Sequence, residues 1–205
     1  MREQRILTPA RTGNDDRSTT PTAIITMNPV QMLAHLRAAD AVAREAAAHG
    51  HHPFGAVLVG PDDRVLMRQG NLDTLRHAES ELCRRAAATY RHDFLWDCTL
   101  VSTFEPCAMC AGALYWANIG RLVYGVEEAK LLALTGSHAE NPTMHLSCRI
   151  VLGSGQKSIG VHGPFPEIED ELIARTGTSG GRAEVRAAGN AEFLSRRIPF
   201  PVPPA

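Results

Sequence analysis

The chain has 205 residues, of which 44% are hydrophobic, 21% charged and 5% aromatic, the make-up of one ordinary folded domain plus tails, which excludes disordered, collagen-like and fibrous classes. Lys and Arg number 21 against 22 Asp and Glu, a net charge of -1, so the basic field that drives phosphate-backbone binding is missing and nucleic acid is disfavoured as a partner. The longest central run without a charged side chain, residues 106–120, covers only fifteen positions, short of the roughly 18 that a spanning helix needs.

Residues 1–26 are rich in Thr, Arg, Pro and Asp with no apolar period, and read as a disordered leader with Met27 as an alternative start. Arg2, Glu3, Arg5, Arg11, Asp15, Asp16 and Arg17 interrupt any secretory apolar region, so the expected compartment is the cytoplasm. Five cysteines, an odd number, fit reduced thiols or metal ligands better than a disulfide framework.

A helix is expected from Asn28 as N-cap, with Pro29 in its first position, to a stop at Gly50. Residues 54–59 and 65–67 flank Gly60, Pro61, Asp62 and Asp63, which reads as a β-hairpin. Helical spacing follows at 79–90, a β-branched strand at 98–104, a helix at 108–117 and a strand at 122–126. This alternation calls for an α/β fold, a three-layer α/β/α sandwich whose mixed sheet carries an antiparallel hairpin at one end. Beyond Lys130, residues 150–152 read as a fifth strand and 166–176 as a helix; Gly177 to Gly181 then breaks the chain before a last helical stretch at 183–197 and a Pro-rich tail. The expected organisation is a leader at 1–26, one domain at 27–176 and a C-terminal extension at 177–205.

Two places concentrate chemistry: His77-Ala78-Glu79, opening one helix, and Pro106-Cys107-Ala108-Met109-Cys110, opening the next. Cys107 and Cys110, at i and i+3, put both sulfurs on one side of a helical turn, where one imidazole can complete three ligands to zinc and leave a fourth, open position. His77 and Glu79, at i and i+2, reach a common pocket only from the first turn of a helix, where unpaired N–H groups favour thiolates and carboxylates. The bland readings stay beside this one. His52, His92, Cys98 or Cys148 would close a structural zinc site, and Cys-x-x-Cys alone also suits a redox pair. Asn71 reads as a turn residue, Phe54 and Trp116 as core, Cys83 and Cys98 as packing, and His49, His51 and His52 as a helix end.

H-x-E followed by P-C-x-x-C resembles the signature of the zinc-dependent nucleobase deaminases, the cytidine/deoxycytidylate deaminase superfamily. The resemblance extends over about residues 28–130, through HPFGAVLV, Asn71, TFEPCAMCAGALYWA and RLVYG, and is closest to the branch holding guanine, cytosine and tRNA adenosine deaminases. It implies a cytidine deaminase-like fold with a five-stranded sheet, a homodimer, Zn²⁺ held by His77, Cys107 and Cys110, and Glu79 as the catalytic proton shuttle. It further implies Asn71 on the polar edge of the substrate ring, Phe54 and Trp116 lining the base pocket, and backbone contacts at Ala56 and Glu105. His138 and Glu140, with Ser137 and Asn141, would close the pocket.

The implied activity is hydrolytic replacement of an exocyclic amino group by a carbonyl, with release of ammonia. The substrate is expected to be a free nucleobase or related amino-substituted N-heterocycle of guanine, cytosine, isoguanine or triazine type. The alternatives are a tRNA-specific adenosine deaminase and a non-catalytic zinc-stabilised binding module. Charge favours the small base: without residues 1–26 the chain carries 17 basic and 19 acidic residues, with only scattered Arg182, Arg186, Arg196 and Arg197 near the carboxy terminus.

Overall fold

The computed structural model describes residues 27–135 and 144–174. The first element among the described residues is α1 (Pro29–Ala48), opened by a reciprocal cap in which Asn28 Oδ1 accepts from the Gln31 N–H at 3.0 Å and Gln31 Oε1 from the Asn28 N–H at 2.8 Å. Gly50, at φ +81, then turns the chain away from the helix end. The apolar stripe Met32, Leu36, Ala39, Val42, Ala43 and Ala46 is buried against the sheet, as helical spacing requires.

β1 (Gly55–Val59) and β2 (Val65–Gly70) form the antiparallel hairpin read from the sequence. Gly55 is required there, since a Cβ at that position would lie 2.3 Å from the Ala39 carbonyl oxygen of α1. α2 (Ala78–Thr89), the short α3 (His92–Trp96), β3 (Thr99–Phe104), α4 (Ala108–Ala117) and β4 (Arg121–Val126) follow. Asn118, at φ +63, ends α4 in the left-handed region and donates to the His92 carbonyl at 2.7 Å.

The sheet order is β2-β1-β3-β4-β5, with β5 formed by Gly160–His162. β1 is antiparallel to both β2 and β3, whereas β3, β4 and β5 run parallel. One face packs Val57, Val59, Val101 and Val123 against α1 and α7 (Pro166–Ile173). The other packs Leu58, Leu100 and Leu122 against α2, α4 and α6 (Cys148–Gly153). The result is the mixed five-stranded sheet between two helical layers.

One expected strand is corrected. Residues 150–152 lie in α6, because Ser147 caps a helical turn by accepting from the Arg149 N–H, and the fifth strand forms ten residues later. α3 and α5 (Glu128–Thr135) were not anticipated. The leader at 1–26, residues 175–176 of the expected helix and the extension at 177–205 lie outside the described residues. Among the described residues no helix is long and apolar enough to cross a membrane.

Candidate metal centre and active site

The register of the sheet collects the chemistry at one edge. Gly55 pairs with Gly70 and Ala56 with Ser102, so the start of β1, the end of β2 and the end of β3 meet. The carboxyl ends of parallel strands are where open α/β sheets place their ligands. From this edge β3 runs through Glu105 and Pro106 into Cys107, the N-cap of α4, while His77 is the N-cap of α2, which packs beside α4.

His77 Nδ1 lies 3.7 Å from Cys107 Sγ and 3.6 Å from Cys110 Sγ. Tetrahedral zinc with bonds of about 2.0 Å to nitrogen and 2.3 Å to sulfur separates a nitrogen and a sulfur ligand by about 3.6 Å, so the imidazole already stands at that spacing from both sulfurs, and the three donor atoms all lie within 4.8 Å of one another. The His77 pKa is raised, first by the hydrogen bond to Cys107 and then by the Glu79 charge, against the effect of burial. The Cys107 thiol is pushed down to about 4 by hydrogen bonds from Cys110 and His77. Among the described residues no fourth His, Cys, Asp or Glu joins this cluster.

Glu79, in the first turn of α2, is buried beside the cluster, and Cys110 Sγ approaches its Oε2 at 3.5 Å. Burial pushes its carboxyl above the ordinary range. Ser102, buried on β3, donates to Glu79 Oε1 at 2.8 Å. Sequence reading passed over this serine, which stands on β3 with two other hydroxyl residues, Thr99 and Thr103, and is set apart only by its contact with Glu79.

Asn71 is 1% exposed. Its backbone N–H donates to the Phe54 carbonyl at 3.0 Å and its Nδ2 to the Asp73 carbonyl at 3.1 Å. Its Oδ1 is buried with no hydrogen-bond partner, an acceptor left for something other than the described protein. Phe54 is half-buried, stacks on His52 and meets Phe104 edge-on at 5.3 Å. Ala56 is buried inside β1 between Gln69 and Ser102.

Glu105 donates its backbone N–H to the Val126 carbonyl, and its carboxylate accepts from Ser147, Cys148 and Glu128. Burial pushes its pKa up, but the hydrogen bonds from Ser147 and Cys148 prevail and leave it lowered. Glu128, half-buried at the start of α5, is raised to about 7 by burial and by the charges of Cys107, Glu105 and Glu79. No sequence reading had singled it out.

Trp116 is neither core nor turned toward His77: it is 78% exposed, on the side of α4 opposite the buried Cys110, Ala111 and Leu114. Cys83 and Cys98 are buried as packing residues. His138 and Glu140, with Ser137 and Asn141, lie outside the described residues.

Comparison with known proteins is consistent with this geometry. Residues 30–126 match the family described as the cytidine and deoxycytidylate deaminase zinc-binding region. A probable cytosine deaminase from Schizosaccharomyces pombe is 39% identical over 145 residues, which cover 69% of this chain and 87% of that protein. A tRNA-specific adenosine deaminase from Agrobacterium fabrum is 41% identical over 93 residues, 43% of this chain and 60% of that protein. Among solved structures, one from a study of tRNA:A34 deaminases and A-to-I editing superposes with a TM-score of 0.51 at 29% identity, over 69% of this chain and 98% of that one.

Proposed function

The chain belongs to the cytidine and deoxycytidylate deaminase family of zinc-binding hydrolases, and from that premise we propose that it hydrolyses the exocyclic amino group of a free nucleobase or a related amino-substituted N-heterocycle. The observation that carries the reading is the buried Glu79 carboxylate beside the His77, Cys107 and Cys110 triad. A closed structural site would have no use for such an acid.

His77, Cys107 and Cys110 would hold the ion. Zinc held there would act as a Lewis acid that makes water nucleophilic at neutral pH. Glu79 takes the proton from the attacking water and delivers it to the ring nitrogen next to the amino-bearing carbon. It then carries the proton of the hydroxyl now on that carbon to the departing amine, so that the C–N bond breaks, ammonia leaves and the carbonyl remains. The raised pKa of Glu79 suits a group that must both accept and return a proton. Asn71 Oδ1 accepts from an N–H on the ring edge, and Phe54 lies against the ring face.

The free base is favoured over tRNA by charge. Arg76, adjacent to His77, is neutralised by Asp73, and the chain carries 21 Lys and Arg against 22 Asp and Glu, so no excess of positive charge is present to attract a phosphate backbone. The longer match, to the probable cytosine deaminase, supports the same choice. The test is ammonia release from guanine, cytosine, isoguanine and amino-triazines, with an anticodon stem-loop alongside. Turnover of one of the bases is expected; turnover of the stem-loop alone would transfer the assignment to RNA.

The active form is read as a homodimer. Met109 and Trp116, seven residues apart on α4, put an exposed apolar stripe on one helix face. Between them Gly112 has open space where a Cβ would stand. Sedimentation equilibrium should give a dimer for the native chain and a monomer for Trp116→Glu.

A further inference from the structure

We infer that Ser102 is a positioning residue for the proton shuttle, its hydroxyl holding one oxygen of Glu79 so that the other is presented at the His77, Cys107 and Cys110 triad. The inference rests on the deaminase reading and goes beyond it, to a residue outside both motifs.

Ser102 lies two positions after Leu100 on β3, and therefore on the sheet face that packs against α2 and α4. It is 1% exposed, and its backbone is fixed from both sides, by Ala56 of β1 and Tyr124 of β4. Its neighbour Thr103 is accounted for by the scaffold, since its Oγ1 contacts both the N–H and the carbonyl of Gly55 across the strands. The Ser102 hydroxyl instead crosses from sheet to helix, to Glu79 Oε1 at 2.8 Å. A hydroxyl buried on a packing face is a handicap unless it is hydrogen-bonded, and an alanine or valine would fit a β-strand core without that demand.

What the contact supplies is orientation. The terminal torsion of a glutamate is broad and roughly two-fold, so burial alone does not set the plane of the carboxylate. With Oε1 bound to a rigid strand, Oε2 faces Cys110 Sγ at 3.5 Å and stays at the triad. A proton shuttle needs heavy-atom distances of about 2.6–3.2 Å to its partners, and a displacement of about 1 Å lowers rates about a hundredfold.

The test uses the full chain loaded with zinc, as wild type, Ser102→Ala and Ser102→Thr, with ammonia release from guanine and cytosine, zinc content and crystal structures as readouts. Ser102→Ala should stay folded and keep its zinc, and lose kcat by about tenfold to a hundredfold with KM within about twofold. Its Glu79 carboxylate should rotate away from Cys110. Ser102→Thr, which retains the hydroxyl, should recover kcat to within about threefold of wild type. Unchanged kcat in Ser102→Ala, a threonine variant as slow as the alanine one, or loss of zinc in the alanine variant would overturn the inference. If the wild type releases no ammonia from any base, the free-base reading fails, and the pose of Glu79 in the two structures still decides the positioning role: an unmoved carboxylate ends it.

Discussion

Glu105 accepts a hydrogen bond from Ser147 Oγ at 2.8 Å, which ties the end of β3 to the start of α6 across 42 positions of sequence. The same oxygen accepts from the Cys148 N–H at 2.8 Å, and the other from the Glu128 N–H at 3.2 Å. One buried carboxylate thus satisfies the first turns of two helices beside the triad. Glu105→Ala leaves those donors without their acceptor and should destabilise the fold by about 2–4 kcal/mol, read from urea unfolding. Glu105→Gln keeps one acceptor oxygen and should lose less; equal losses would show that volume, not hydrogen bonding, matters there.

Asp73 organises the turn that delivers His77. Its carboxylate accepts from the Leu75 N–H at 2.9 Å, the Arg76 N–H at 2.6 Å and Arg76 Nε at 2.7 Å. Its pKa is lowered, chiefly by the hydrogen bond from the Arg76 backbone. A carboxyl with a depressed folded-state pKa stabilises the protein above its ordinary value of 3.8, and that contribution disappears as pH falls through the lower folded value. The native chain should therefore lose stability in acid more steeply than Asp73→Asn, whose side chain does not titrate. Parallel slopes in acid titrations followed by circular dichroism would remove Asp73 from this role.

Much of the fold was legible because its signals are local. Asn28 and Pro29 cap α1, the run from Gly60 to Asp63 marks the hairpin, and the cysteine spacing marks the first turn of α4. Ile150, Val151 and Leu152 misled because three apolar residues fit a buried strand or one helical turn, and the deciding residue was Ser147 just upstream. The triad could be read because its residue types are rare together. Ser102 and Glu128 could not, because their roles arise from neighbours 21 residues or more away in sequence, supplied by strand register and helix packing.

Asn71 separates a turn residue from a substrate contact. Its Nδ2 is used within the turn, but its Oδ1 is buried and unpaired. A buried acceptor that finds its partner only in the ligand contributes to binding and to transition-state recognition. Asn71→Ala should lower kcat/KM by about tenfold to a hundredfold with zinc content unchanged. An unchanged kcat/KM with a lowered melting temperature would leave Asn71 as a turn residue alone.

Glu79 and the three donors should separate cleanly in a metal-and-rate experiment. His77, Cys107 and Cys110 are mutually spaced for one ion, so losing any one leaves two ligands and should abolish stoichiometric zinc by inductively coupled plasma mass spectrometry. Chelation of the native chain should have the same effect and also lower its melting temperature, because an ion bound only to the folded state adds its binding free energy to stability. Glu79→Gln keeps the size of the side chain and can still bond to Ser102, so it should retain the metal. What it loses is the ability to accept and return a proton, a contribution of about 10²–10⁴ in rate. Zinc loss in Glu79→Gln would make Glu79 a fourth ligand and the site a closed one, whereas zinc-loaded Glu79→Gln with near-native turnover would move the shuttle to another group.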